Sequence, residues 1–323
     1  MKKIISVFVC AVMLLTMFTG CANNAEKTDV NVIAISGPTG IGMANLMKEN
    51  ADKKAANNYN FSVVTSPESI VAKISNGECD IAAVPTNLAS VLYNKLKGGV
   101  KVLAVNTLGV LYVLENGNSI KSIADLKGKE IYSTGQGANP EYVLNYTLSK
   151  NGIDPKKDLK VNYLTENQEL ATKMISGKVS VALVPQPIAT TIMLKNTNVR
   201  SAIDMTAEWK SVSNGNNLMM GCVIVRSDFA KDNKKAVNTF LKEYKKSIEN
   251  TTKDIDLTAA NCEEFKVLAS AAIAKKAIPS CNIVYIDGEN MKKELNEYLN
   301  VLFEADKTSV GGKLPDDDFY YKK

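Results

Sequence analysis

Histidine is absent from the chain. Its absence excludes His-based general-base catalysis, Ser-His-Asp triads and the usual zinc sites. Arginine is scarce as well, because only Arg200 and Arg226 occur and every other basic residue is a lysine. The formal net charge is +5, or +3 without Lys2 and Lys3, and it is spread along the chain. Such a mild, dispersed surplus argues against nucleic acid as a partner.

Long apolar runs are also scarce, and the clearest is Ile4 to Phe18. Because Met1-Lys2-Lys3 precedes it, this run is typical of a signal peptide and not of a spanning helix. It ends at Phe18-Thr19-Gly20-Cys21, which resembles the bacterial lipobox, although that pattern usually has Leu where Phe18 stands. We predict a signal peptide over residues 1–20, a lipid on Cys21 and a polar, lipid-anchored tether over residues 21–29. Plain secretion is the alternative.

The cysteines point to no metal site. Of six, Cys10 leaves with the signal peptide and Cys21 is the lipidation candidate. The others are Cys79, Cys222, Cys262 and Cys281. Their spacing fits no metal-binding motif, and we predict neither a metal nor a cofactor. Isolated cysteines in apolar stretches are more often small core residues, while a disulfide between Cys262 and Cys281 stays open.

One stretch of the chain occurs twice. Residues 69–87 and 169–187 each predict an amphipathic helix, a glycine stop, a short buried strand and a turn that opens another helix. The copies align without a gap and match at Gly77 and Gly177, Ala82 and Ala182, Val84 and Val184, and Pro85 and Pro185. Two copies are too few for a solenoid, so we predict two similar lobes, each with its own sheet.

Strands and helices alternate in each half of the chain. The βαβα order predicts mostly parallel sheets with helices on their faces. Roughly 300 mature residues at 45% hydrophobic content are enough for two lobes of about 100 to 170 residues. We predict an α/β fold of two similar lobes with mostly parallel sheets and flanking helices, joined by a two-strand hinge.

The lobe boundaries follow from where the repeat is missing. Helices predicted near residues 231–250, 263–276 and 289–303 contain no copy of it, so we assign them to the first lobe. The chain then crosses between lobes near residues 107–116 and 213–222. The predicted domains are lobe 1 over residues 30–108 and 219–323 and lobe 2 over residues 109–218.

Two kinds of turn carry the candidate binding residues. A glycine-rich turn separates a strand from a helix in each half, and a Val-Pro turn ends each repeat copy. Helix starts after such turns offer free N–H groups, and open α/β sheets bind ligands at the carboxyl ends of their strands. The candidate ligand-binding residues are Gly37, Thr39, Gly40, Thr86, Asn87, Asn106, Thr134, Gly135, Gln136, Gly137 and Gln186.

Each turn also has a purely structural interpretation. Glycine can serve turn geometry alone, and proline is often only a rigid exit from a strand. The turn from Gly37 to Gly42 lacks the Gly-Lys-Ser/Thr ending of a P-loop and the spacing of a Rossmann fingerprint. Two matching turns in corresponding places nevertheless favour two halves of one ligand cradle. No Lys or Arg lies in these turns, so an anion is not required, although helix N-termini could hold one.

Taken together, these motifs resemble those of solute-binding lipoproteins of ABC importers. The resemblance rests on Cys21, Gly-Pro-Thr-Gly after the first strand, the paired Val-Pro turns and the stretch Ala124 to Lys129. The nearest group includes the nitrate, sulfonate, taurine and thiamine-pyrimidine-precursor binding proteins. The resemblance covers essentially the whole mature chain and implies a type II periplasmic-binding-protein-like fold that closes on a small ligand.

We therefore predict an extracytoplasmic substrate-binding protein of an ABC transporter, without enzymatic activity, that captures a small polar or anionic organic solute between its lobes. The implied partners are the ligand, the permease with its ATPase, and the outer face of the bacterial cell membrane through the lipid; a monomer is expected. The alternative is an enzyme on the same fold acting on a pyrimidine or similar small metabolite. The pyrimidine-making relative uses a histidine of its own chain, which is lacking here.

Overall fold

The computed structural model describes residues 27–323. The predicted signal peptide, Cys21 and most of the predicted tether lie outside these residues. The strands are β1 (Asp29–Ile35), β2 (Asn58–Val64), β3 (Ile81–Pro85), β4 (Val100–Thr107), β5 (Leu111–Asn116), β6 (Glu130–Ser133), β7 (Lys160–Tyr163), β8 (Val181–Pro185), β9 (Val199–Asp204), β10 (Gly221–Arg226) and β11 (Ile283–Ile286).

Helices separate most of these strands. They are α1 (Pro38–Ile41), α2 (Ala44–Ala51), α3 (Pro67–Ser75), α4 (Thr86–Lys95), α5 (Asn139–Lys150), α6 (Asn167–Ile175), α7 (Ile188–Lys195), α8 (Met205–Val212), α9 (Ser227–Asp232), α10 (Lys234–Lys253), α11 (Ile255–Glu264), α12 (Ala271–Ala277) and α13 (Gly288–Ala305). Short 3-10 turns span Ile123–Leu126, Ile278–Ser280, Lys307–Val310 and Asp317–Phe319. Both repeat copies fold as predicted, the first into α3 and β3 and the second into α6 and β8.

The strands form two sheets, which confirms the predicted two-sheet α/β fold. Sheet A has the order β11-β4-β10-β3-β1-β2, and sheet B has the order β7-β6-β8-β5-β9. Helices pack on their faces. The described strands thus divide between two separate sheets.

Both sheets are mixed, and most strands of each run in one direction, as predicted. Within sheet A, β1 pairs in parallel with β2 and β3, whereas β10 runs antiparallel to both of its neighbours. Within sheet B, β5 likewise runs antiparallel to β8 and β9. The reason is the crossing: β5 and β10 are the first strands after the chain changes sheet. Each enters at the edge where the neighbouring strands end, so each must run back against them.

The prediction of one helix near residues 263–276 was wrong. In place of a single helix near residues 263–276, α11 ends at Glu264 and α12 begins at Ala271. Lys266 between them has a φ of 59°, which a continuing right-handed helix does not allow. The chain therefore turns between two short helices.

Two apolar cores lie on the two faces of sheet A. On one face, Ile33 and Val84 belong to a buried cluster that continues into sheet B at Val113 and Leu183. On the other face, Val32 and its neighbours pack with residues of α2, α10 and α11. The first core therefore joins the two sheets by packing as well as by the chain itself. Among residues 27–323, no helix has the length and apolar character needed to cross a membrane.

Candidate functional site

The carboxyl ends of strands from both sheets meet where the chain crosses between them. Only residues 108–110 separate the end of β4 from the start of β5. Leu111 at the start of β5 pairs with Pro185 at the end of β8. Gly221 at the start of β10 pairs with Pro85 at the end of β3 and with Thr107 at the end of β4. Turns from both halves of the chain are therefore brought to one place.

Two helix N-termini converge on a single carbonyl group at this crossing. Thr86, the first residue of α4, donates its backbone N–H to the oxygen of Met220 at 3.2 Å. Asn139, the first residue of α5, donates its side-chain Nδ2 to the same oxygen at 3.4 Å. Neither helix has a side-chain cap on its N-terminus. The first residues of two helices, one from each side of the crossing, thus bond the same carbonyl oxygen, and the positive ends of both helices point to this region.

Asn139 lies at the crossing and is not among the candidate residues predicted from the sequence. It is 3% exposed, and its Oδ1 is buried without a hydrogen-bond partner among the described residues. Its orientation is fixed, because the Met220 carbonyl can only accept and must face the amide nitrogen. A buried acceptor without a donor costs roughly 1–3 kcal/mol. An Asn-Pro pair directly after a glycine-rich turn was the available signal, but its partner lies 81 positions away.

The glycine-rich turn after β1 folds into the short helix α1. Gly37 donates its N–H to Val267 at 3.0 Å, and a Cβ on Gly40 would lie 2.3 Å from the carbonyl oxygen of Ile35. The Thr39 carbonyl accepts from Asn106 at 3.0 Å. The structure therefore brings Thr39 and Asn106 together. Asn106 is 1% exposed, and its amide nitrogen is bonded to the Thr39 carbonyl and to the Tyr244 hydroxyl.

The other predicted residues occupy three different environments. Thr86 and Asn87 are buried and bond the carbonyls of Met219 and Ser309. Thr134 and Gln186 are also buried, and their partners are Asn167 and Thr190. Gln136 and Gly137 are exposed at the end of the turn that begins with the half-buried Gly135. Their roles in ligand binding stay predictions.

Acidic and aromatic groups flank the α5 side of the crossing. Glu141 accepts the backbone N–H of Gly137 at 2.6 Å, so a carboxylate lies in the first turn of α5. The Tyr142 hydroxyl donates to the carbonyl of Gly137 at 3.2 Å. Burial raises the pKa of Tyr163 above its ordinary value, and the nearby Glu141 charge adds to the effect. These tyrosines therefore stay neutral near pH 7.

Both arginines are used away from the crossing. Arg226, at the far end of β10, pairs with buried Asp80 at 3.1 Å, and Arg200 pairs with buried Glu115 at 2.6 Å. Burial of Glu115 disfavours its ionised form, but hydrogen bonds from Ser119, Ile120 and Arg200 outweigh that effect and lower its pKa to about 2. The two guanidinium groups therefore hold sheet ends together.

The cysteines that the structure describes are all free and buried. Cys262 and Cys281 are therefore not joined by a disulfide here, and burial raises the pKa of each thiol to about 12. Within residues 27–323, no group of three or more acidic or cysteine side chains is arranged to hold a metal ion.

Comparison with known proteins gives a family and a fold. Residues 43–272 match the family described as ABC transporter, phosphonate, periplasmic substrate-binding protein. No curated protein matches the sequence.

Solved structures are similar over nearly the whole chain. An ABC transporter protein from Parabacteroides distasonis is 24% identical with a TM-score of 0.78, over 92% of this chain and 100% of that one. The aliphatic sulphonate binding protein SsuA from Escherichia coli is 14% identical with a TM-score of 0.72, over 91% and 96%. The nitrate-binding protein NrtA from Synechocystis is 12% identical with a TM-score of 0.61, over 88% and 84%.

These likenesses establish a shared fold, and they agree with the predicted resemblance to nitrate- and sulfonate-binding proteins. The family match covers well over half of the sequence, and it implies a location outside the cytoplasm. The chain belongs to the family of periplasmic substrate-binding proteins of ABC transporters.

Proposed function

We propose that the chain captures a small organic oxyanion, such as a phosphonate or a sulfonate, at the crossing between its sheets and delivers it to an ABC permease. A lipid on Cys21 holds it at the outer face of the cell membrane. Residues 30–108 and 219–323 act as one lobe and residues 109–218 as the other. The protein acts as a monomer and catalyses no reaction.

The observation that carries this proposal is the meeting of Thr86 and Asn139 on the Met220 carbonyl. Helix N-termini attract anions because their first N–H groups are unpaired and the helix dipole is positive there. The Thr86 N–H is already bonded to Met220, but the later N–H groups in the first turns of α4 and α5 have no intrahelical partner and suit a ligand with several acceptor oxygens. The family description names phosphonate, and related structures carry the names of sulphonate- and nitrate-binding proteins.

Binding through backbone N–H groups also explains why the site needs no arginine. Arg200 and Arg226 are both engaged in ion pairs with buried carboxylates. A ligand that contacts both helix starts favours the closed arrangement of the lobes over the open one, and this difference in contacts is all that closure requires. The absence of histidine is consistent with a binding role.

A thermal-shift panel tests the proposal. The mature chain would be heated with methylphosphonate, methanesulfonate, taurine, nitrate and a methylated pyrimidine. A ligand at about 100 times its Kd stabilises the folded state by about 2.7 kcal/mol. We expect one of the oxyanions to raise the melting temperature by roughly 4–5 °C. No shift with any oxyanion would contradict the proposal, and chemical conversion of the pyrimidine, followed by mass spectrometry, would favour the enzyme instead.

Asn139→Ala is expected to weaken binding of the best oxyanion by about tenfold, because it removes the bond that holds the start of α5 to the Met220 carbonyl. Isothermal titration calorimetry gives the Kd. Asn94→Ala is the matched control, since Asn94 also has a buried Oδ1 without a partner in the described structure but lies on α4 against residues 310 and 313. Equal Kd values for the two variants would remove Asn139 from the site.

A further inference from the structure

The glycine-rich turn from Gly37 to Gly42 is held from behind sheet A by α10. Asn106 Nδ2 donates to the Thr39 carbonyl at 3.0 Å and to the hydroxyl oxygen of Tyr244 on α10 at 2.9 Å. Its Oδ1 accepts from the Thr107 hydroxyl at 2.9 Å. Both hydrogens of this buried amide therefore link the turn to α10.

The close packing around Asn106 leaves it no alternative position. A Cβ on Gly221 would lie 2.8 Å from Asn106 Oδ1 and 2.8 Å from Thr39 Oγ1. Only a residue without a side chain fits there. Gly221 at the start of β10 thus packs against both Asn106 and Thr39.

Helix α10 also contacts Gly42, the last residue of the turn. A Cβ on Gly42 would lie 2.8 Å from Ile248 and 3.1 Å from the Tyr244 hydroxyl oxygen, so the backbone at Gly42 packs directly on α10. Ser247 Oγ donates to the Gly42 carbonyl at 2.6 Å. Residues 244, 247 and 248 lie on one face of α10, because residues three and four apart are neighbours on a helix.

Tyr244 is itself immobilised. It is 0% exposed, and its ring stacks on Phe240 with centroids 5.3 Å apart and an interplanar angle of 13°. Tyr285 packs edge-on against the same ring at 6.3 Å. The hydroxyl oxygen is therefore a fixed acceptor between Asn106 and Gly42.

We propose that Tyr244 is a positioning residue of the binding site: through Asn106 its hydroxyl fixes Thr39, and with it the N–H groups of the turn that faces the ligand. The inference rests on the proposed function, because it takes the turn, which lies next to the start of β10, as part of that site. Tyr244 itself does not touch the ligand. Binding groups keep their geometry only when a supporting layer of hydrogen bonds and packing holds them.

Tyr244→Phe tests this inference by removing one oxygen atom. In the ligand-free mature chain, hydrogen exchange of residues 38–46 is expected to become about tenfold faster, because a buried Asn106 N–H loses its acceptor. The Kd for methylphosphonate, methanesulfonate or nitrate, whichever shifts the melting temperature most, is expected to rise about three- to tenfold. Tyr285→Phe is the matched control, since it removes a hydroxyl bonded to Asp287 on the adjacent ring.

Three outcomes would overturn the inference. The first is a hydrogen-exchange rate over residues 38–46 of Tyr244→Phe that equals the wild-type rate. The second is faster exchange that is spread evenly over the chain. The third is an equal change in Tyr285→Phe. If no panel compound binds the wild-type protein, the proposed function fails while the exchange data still decide the role of Tyr244. Should Tyr244→Phe fail to fold, Asn106→Ala breaks the same link and must accelerate the same residues.

Discussion

Replacing Glu115 by alanine is expected to lower the free energy of unfolding by about 3 kcal/mol. The carboxylate accepts from the Ser119 N–H at 2.7 Å, the Ser119 hydroxyl at 2.6 Å and the Ile120 N–H at 3.1 Å. It also pairs with Arg200 at 2.6 Å, and its side chain is only 4% exposed. The variant leaves all of these donors without their acceptor.

Urea unfolding followed by circular dichroism measures the loss. Glu130→Ala is the matched control, because Glu130 pairs with Lys160 at 2.7 Å in the same sheet but is 48% exposed. Exposed pairs of this kind contribute about 0–1 kcal/mol. A loss of stability no larger in Glu115→Ala than in Glu130→Ala would show that the buried pair does not hold this end of sheet B.

The lowered pKa of Glu115 also predicts how the stability of the protein depends on pH. Folding lowers the Glu115 pKa from 4.5 to about 2, so its stabilising effect is complete above pH 4.5. The effect is lost as the pH falls from 4.5 through 2, where the folded protein takes up the proton. The stability difference between the wild-type protein and Glu115→Ala should therefore narrow over that range. A constant difference would contradict the assignment of a lowered pKa.

Much of the fold could be predicted because the repeat is local. The order of residues 69–87 contains a helix, a stop and a buried strand within one short segment, and the same order recurs at residues 169–187. Hydrophobic periodicity is a property of such segments and needs no knowledge of distant residues. The two-sheet α/β fold followed from this pattern.

Strand direction could not be predicted in the same way. A buried apolar strand has the same composition whether its neighbours run with it or against it, so β5 and β10 were not recognised as antiparallel. Their direction depends on where the chain re-enters a sheet. That in turn depends on pairings such as Leu111 with Pro185 and Gly221 with Pro85, which join distant parts of the chain.

In the candidate site, too, the local sequence predicts some features, while others depend on residues far along the chain. Turn residues were identified because they follow strands, but the environment of each side chain depends on remote partners. Asn106 is predicted as a ligand contact from its place at a strand end, and its amide bonds Tyr244, 138 positions later, which no local pattern shows. Asn139 is not among the predicted residues, because its partner is Met220. Hydrogen bonds between distant segments therefore decide which polar residues face a ligand.

Replacing Trp209 by alanine is expected to cost about 3–5 kcal/mol of stability, because it removes the largest buried side chain of the protein. Trp209 on α8 is 0% exposed and lies between Tyr146 on α5, at 4.8 Å between ring centroids, and Tyr298 on α13, at 5.4 Å. Helix α13 packs on β4 of sheet A, whereas α5 and α8 flank sheet B. The three rings thus form an aromatic contact between the two halves of the molecule.

Loss of this contact should also loosen the packing between the two halves, since Trp209 lies just before the second crossing. Small-angle scattering of the ligand-free variant is expected to give a larger radius of gyration than the wild-type protein. Trp209→Phe is the control, because a smaller ring keeps part of the stack and should lose roughly half as much stability. An alanine variant within 1 kcal/mol of the wild type, with unchanged scattering, would show that the three rings do not hold the two halves together.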